Sequence, residues 1–199
     1  MRKHILFLLL LFFNLSCNSI INTAYNDTVA KYNAYFLSEE SIKEIEEELL
    51  SLNDENYDSL INLSYEIDTN RVSGLNGKKD DIVKKLSILI QRHEGSKYVY
   101  PSYALIGKAR LLSQEINESI TTLKYVNSKS SDQFSKQMSL IYLMRAYTEK
   151  KDFDSALEVY NFLKKQTIDK DLVLEYHLYS HYLFKKTNNI EGIFNELLS

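Results

Sequence analysis

In 199 residues the chain has one cysteine, one proline, five glycines and no tryptophan. A lone cysteine excludes an internal disulfide framework in any redox compartment. So few prolines and glycines leave little to break a helix. Basic charge is not in excess, with 24 Lys and Arg against 27 Asp and Glu, and no basic stripe is present; this argues against a nucleic-acid partner. There is no glycine-rich phosphate loop, no Ser-His-Asp pattern and no second thiol. Nothing therefore points to an enzyme, a cofactor or a small-molecule substrate. Long apolar runs are missing too. The longest, Ile5 to Phe13, covers nine residues, and a membrane-spanning helix needs about 20.

What is present is an ordinary globular balance, 44% hydrophobic and 26% charged, with 15 tyrosines and nine phenylalanines. Arg2, Lys3 and His4 precede the short apolar run, in the layout of a secretory signal peptide. The run ends in "LSC", Leu15 to Cys17. A small residue before cysteine resembles a bacterial lipobox, in which the lipidated cysteine becomes the new N-terminus. Asn14 stands where leucine is usual, and looser boxes of this kind resemble those of the Bacteroidota. The alternatives are an ordinary cleaved signal peptide or an uncleaved anchor with a chance cysteine. On the lipoprotein reading residues 1–16 are removed and Cys17 carries the lipid anchor, with acyl chains contributing about 0.8 kcal/mol per buried CH₂. No acidic cluster follows Cys17, so the expected location is the periplasmic face of the outer membrane.

The rest of the chain repeats itself. Ile116, Phe153 and Ile190 align at steps of 37, as do Ser119, Ala156 and Ile193, then Ile120, Leu157 and Phe194, then Leu123, Tyr160 and Leu197. Upstream, Ile106 pairs with Leu143, Ala109 with Ala146, and Arg110 with Tyr147 and Phe184. Such self-similarity marks a stack of helix pairs. The unit from Tyr142 to Leu163 resembles the tetratricopeptide repeat, with Ala146-Tyr147 late in a first helix, "KDFD" at the turn, and Ala156 and Tyr160 in a second. The usual period is 34, so each link is expected to hold about three extra residues. The third unit is degenerate, with Ser180 and His181 at packing positions. Asp132, Asp152 and Asp171 are candidate N-terminal caps; Gly95 and Pro101 bracket another boundary.

One step earlier, Asp80 to His93 reads as a further second helix, its apolar positions Ile82, Val83, Leu86, Leu89 and Ile90 at helical spacing. Asn26 to Leu52 reads as a long helix or two. Between them, Asn53 to Lys78 shows no clean period and reads as a loop with turns at Gly74 and Asn76-Gly77. The expected organisation is an all-α tetratricopeptide-type solenoid over residues 80–199, preceded by a helical extension and loop over 17–79.

Chemistry-bearing candidates are few. His177 and His181 are four apart on one helix face, but the repeat places them level with packing residues, so no metal is expected. The acidic stretch Glu44 to Glu48 reads as a solvated helix face. Repeats of this class offer a groove lined by their first helices. There Lys108, Arg145 and Tyr182 share one position, with Lys185 following, and can hold an acidic or C-terminal segment; a merely solvated face is the alternative.

Two stretches carry a more specific resemblance. In "TAYNDTVAKYNAYFLSEESIKE", Tyr25, Thr28, Ala30, Lys31, Tyr32, Asn33, Tyr35 and Phe36 fit a string that follows the lipidated cysteine in the SprE/PorW family of tetratricopeptide lipoproteins of the type IX secretion system. "ILIQRHEGSKYVYPSYALIGKARLL", Ile88 to Leu112, fits a second string of that family, whose members are several times longer. The resemblance implies a periplasmic scaffold between the outer-membrane translocon and the ring and motor parts of a secretion and gliding-motility machine. The first string is polar-aromatic and close to the anchored cysteine, and such residues are common interface anchors; Tyr25, Tyr32, Asn33 and Tyr35 are therefore expected to face the translocon or its accessory lipoproteins, or else to pack the first helix on the helix from Asp80 to His93. Alternatives are a BamD-like outer-membrane assembly factor and a SusD-type nutrient binder. The unrepeated stretch before Asp80 argues against the first, and the absence of tryptophan against the second.

Overall fold

The computed structural model of the protein describes residues 25–51, 67 and 73–197. Cys17 and most of the 53–78 stretch lie outside the described residues, as do the side chains of Tyr32 and Asn33. All regular structure among the described residues is helical, so the all-α class stands, in a form compatible with an α-solenoid.

From Tyr25 to Ser51 the chain is one helical run. It passes through a π-helical turn, Lys31–Tyr35, and continues as α1, Phe36–Ser51. The pattern of burial explains the π turn. Ala30, Tyr35, Ser38, Ile42, Ile45 and Leu49 are buried, at steps of five, three, four, three and four. Steps of three and four keep one face of an α-helix. A step of five keeps that face only if the turn holds an extra residue, as a π turn does. The Tyr35 ring is thereby set against Tyr98, with centroids 5.1 Å apart.

Helix α2, Asn76–Arg92, follows a short 3₁₀ turn at Ser73–Leu75. Gly74 and Asn76-Gly77, expected in loop turns, belong instead to this 3₁₀ turn and the first turn of α2. The reason is Leu75, which is buried on the same stripe as Ile82, Leu86 and Leu89 and draws the helix start back toward the core. Then come α3 (Val99–Leu112), α4 (Ile116–Lys129), α5 (Gln133–Glu149), α6 (Phe153–Leu163), α7 (Val173–Lys186) and α8 (Ile190–Leu197). Short links make chain neighbours antiparallel partners. Helices α3, α5 and α7 pack side by side in chain order, with α4 against α3 and α5, and α1 against α2 and α3.

The period of 37 is carried by the turns inside each pair. Helices α3, α5 and α7 end at Leu112, Glu149 and Lys186, and α4, α6 and α8 begin at Ile116, Phe153 and Ile190. In each turn one residue takes positive φ: Gln114 at 63°, Lys151 at 64° and Asn188 at 53°. The following N–H donates to the carbonyl five residues back, Glu115 to Arg110, Asp152 to Tyr147 and Asn189 to Phe184, each at 2.9 Å. This is the Schellman geometry, which usually recruits glycine. A side chain in that region costs about 1 kcal/mol. Lys151 is exposed, so Lys151→Gly is expected to stabilise the fold by about 0.5–1 kcal/mol, seen as a higher urea midpoint.

The return links differ from one another. Residues 130–132 make the first and 164–172 the second, so the expected three extra residues per link do not hold. The longer link is held by the buried Gln137, whose Nε2 donates to the Thr167 carbonyl at 2.9 Å while its Oε1 accepts from Asp169 N–H at 3.0 Å. Asp132 and Asp152 cap α5 and α6 by accepting from the N–H of Ser135 and Ser155. Asp171 is not a cap: α7 starts after the buried Leu172, and the Asp171 N–H itself donates to Asp169. At Gly107 α3 and α4 approach closely, since a Cβ there would meet Leu123 carbons at 2.6 Å, and Ser119 Oγ donates across the crossing to the Gly107 carbonyl at 2.7 Å.

Candidate functional site

Helices α3, α5 and α7 lie side by side, and α1 packs on α3 with Glu46 reaching Lys108 and Tyr179. Between them is a groove of about 870 Å³, within the range of sites that take a peptide-sized or drug-sized ligand. Tyr35 of the π turn with Ile42 and Leu50 of α1 form one wall; Leu105 of α3, Phe134 and Met138 of α5, and Leu174 and Leu178 of α7 supply most of the remaining apolar lining.

The floor is charged. The Lys108 ammonium, 4% exposed, contacts the carboxylates of Glu46 at 3.0 Å and of Glu175. The Tyr142 hydroxyl donates to Glu175 at 3.0 Å, and the Tyr179 hydroxyl to Glu46 at 3.3 Å. Lys108 also lies 5.1 Å from the centroid of the Tyr142 ring. One lysine thus ties α1, α3, α5 and α7 together. Deeper on α5, Arg145 is fully buried: its Nη2 meets Glu149 at 2.7 Å, and its guanidinium lies 3.3 Å from the centroid of the Tyr182 ring. Burial pushes the Tyr142 hydroxyl well above its ordinary pKa, and the charge of Glu175 adds to this. Burial also raises the Glu39 carboxyl, with Lys43 opposing and Glu175 adding.

The residues singled out from sequence fall into distinct places. Lys108 and Arg145 border the groove, and Tyr182 lies beneath Arg145, all three 3% exposed or less. They are not a solvated face, and their charges are met from within the chain. The acidic segment that Lys108 holds includes the chain's own Glu46. Lys185 is half-buried on α7. Tyr25 is 66% exposed, whereas Tyr35 is buried with its ring on Tyr98 and borders the groove. Tyr32 and Asn33 belong to the π turn. His177 sits with its ring against Tyr176; His181 has a buried Nδ1, and burial, then Lys185, lower its pKa. Among the described residues no group of three His, Cys, Asp or Glu is placed to hold a metal, and no helix is long and apolar enough to cross a membrane.

Sequence reasoning missed Glu46, Glu175 and Glu39. The acidic stretch is a solvated face at Glu44, Glu47 and Glu48, which are exposed, but not at the half-buried Glu46. Glu46 differs because it borders the stripe of Ile42, Ile45 and Leu49, a position that helical spacing already marks.

The two stretches quoted for their family resemblance meet in space. Asn26 Oδ1 is 3.3 Å from His93 Nδ1. Asp27 accepts from Ser96 Oγ at 2.7 Å and from the Lys97 N–H at 3.1 Å, and Tyr35 rests on Tyr98. Compared with known proteins, the chain matches no family model, and its sequence matches no curated protein.

Proposed function

We propose that this chain is a non-enzymatic scaffold lipoprotein of the type IX protein secretion and gliding-motility machinery. In this reading it is anchored through Cys17 to the periplasmic side of the outer membrane and holds protein partners with tetratricopeptide-type helix pairs. The observation that carries the binding role is the groove, a largely apolar trough assembled from several helices over an ion-paired floor. The assignment to this machinery rests on the resemblance of the two stretches that dock on each other at Asn26–His93, Asp27–Ser96 and Tyr35–Tyr98. Translocon components and the periplasmic ring or motor are the partners this implies.

Depletion of the protein in a bacterium that makes it should leave type IX client proteins in the periplasm, as judged by immunoblots of medium and cell fractions. Cys17→Ala should shift the protein to the soluble periplasm or leave its signal uncleaved. Normal secretion after depletion would refute the secretion role, and a mature Cys17→Ala protein still on the outer membrane would refute the anchor.

A further inference from the structure

The lysines and the arginine of the groove are not open to an anionic ligand in the way their presence suggests. The buried cations are occupied: Lys108 by Glu46 and Glu175, and Arg145 by Glu149. Lys43 pairs with Glu40 at 2.9 Å, and the exposed Lys97 lies 5.4 Å from the centroid of the Tyr98 ring. Among the carboxylates, Asp132 is taken up in capping α5, and Asp171 is exposed to water. Glu39 is different. It lines the groove half-buried and forms no ion pair within 4.0 Å among the described residues. Burial opposes its charge most, Lys43 and Lys108 offset part of that and Glu175 adds to it, so a cation seated directly on the carboxylate would relieve the cost that is left. A carboxylate brought to the same wall would face Glu39, Glu46 and Glu175, with Lys108 already shared and Lys43 paired with Glu40. The same groove exposes large apolar side chains, Leu174 at 71% and Leu50 at 42% exposed, with Leu50 about three helical turns beyond Glu39 on α1. Grouped exposed apolar surface in a cleft marks a binding site more often than chance exposure does.

We infer that the groove takes an apolar segment of a partner protein carrying one lysine or arginine, with the cation seated at Glu39 and the apolar side chains on Leu50, Phe134, Leu174 and Leu178. The inference deepens the scaffold reading by naming the chemistry of the segment that is held. It excludes an acidic or C-terminal carboxylate segment as the preferred occupant.

The test is fluorescence anisotropy with the purified full chain and three labelled probes: a short leucine-rich peptide with one central lysine, and the same peptide with norleucine or glutamate at that place. The lysine peptide should bind about tenfold tighter than the norleucine peptide, the size of one charge-assisted contact, and the glutamate peptide weakest. Glu39→Gln should keep the melting temperature and bring the lysine-to-norleucine ratio to about one. Leu174→Asp, at an exposed position, should weaken both apolar peptides about tenfold or more without loss of fold. Equal binding of the lysine and norleucine peptides to the unaltered chain, tighter binding of the glutamate peptide, a ratio unmoved by Glu39→Gln, or no binding of any probe would each overturn the inference. Secretion measured in cells is a separate readout. Normal secretion beside an intact lysine preference would sink the scaffold role alone, and lost secretion beside no preference would sink this inference alone.

Discussion

Lys108→Met is expected to cost about 3 kcal/mol of folding stability, the low end of what breaking a buried ion pair costs, or a fall in Tm of roughly 6–12 °C for a chain of this size. The methionine fills most of the lysine volume, so packing is not the main loss. What is lost is the Lys108 charge between Glu46 and Glu175, whose side chains are only 20% and 25% exposed. The two carboxylates are then left facing each other in a poorly solvated place. Their partial exposure is why the low end applies. Neutralising them should restore most of the loss, so Lys108→Met combined with Glu46→Gln and Glu175→Gln is expected to melt close to the original chain. The amides can still accept from Tyr142 and Tyr179. Chemical denaturation of the single and triple variants measures both terms. An unchanged midpoint for the single variant would mean that Lys108 is not the tie between α1 and the helices behind it.

A second large loss is expected at Arg145. Its guanidinium is wholly buried, lies 3.3 Å from the centroid of the Tyr182 ring and meets Glu149 at 2.7 Å. Arg145→Met should cost about 3–4 kcal/mol, since it leaves Glu149, only 12% exposed, as an unpaired carboxylate and removes a desolvated cation–π contact of about 2 kcal/mol. These two losses overlap and do not simply add. Arg145→Lys should rescue little, because an ammonium lacks the flat face that lies on Tyr182. Adding Glu149→Met to Arg145→Met should recover much of the stability by replacing the ion pair with apolar packing. Thermal melts of the three variants decide it. A rescue by lysine equal to the parent would show that charge alone, not the stacked plane, holds this part of α5.

Helices, their pairing and their period were legible in the residues themselves. Apolar spacing is local, and each helix must bury the stripe it carries, so the steps of 37 in the sequence reappear as three turns of one geometry at Gln114, Lys151 and Asn188. Asp132 and Asp152 were legible as caps because a cap acts within three residues of itself. The Asp171 cap was misplaced because the buried Leu172 set the helix start, a tertiary effect. The start of α2 was misjudged for the same reason at Leu75.

The site depended on tertiary structure throughout. Lys108 and Arg145 could be picked out as sharing one face, but whether that face was open depended on where α1 lay. Spacing within a helix says nothing about a carboxylate 62 or 67 residues away, and those are the separations of Glu46 and Glu175 from Lys108. The chain's own sequence determined which faces had to be covered, because burying apolar area is a local demand made by each helix. Only the folded arrangement decided which charges met across them, because an ion pair between distant helices forms where packing brings its partners within a few ångströms, and that distance is set by the whole molecule.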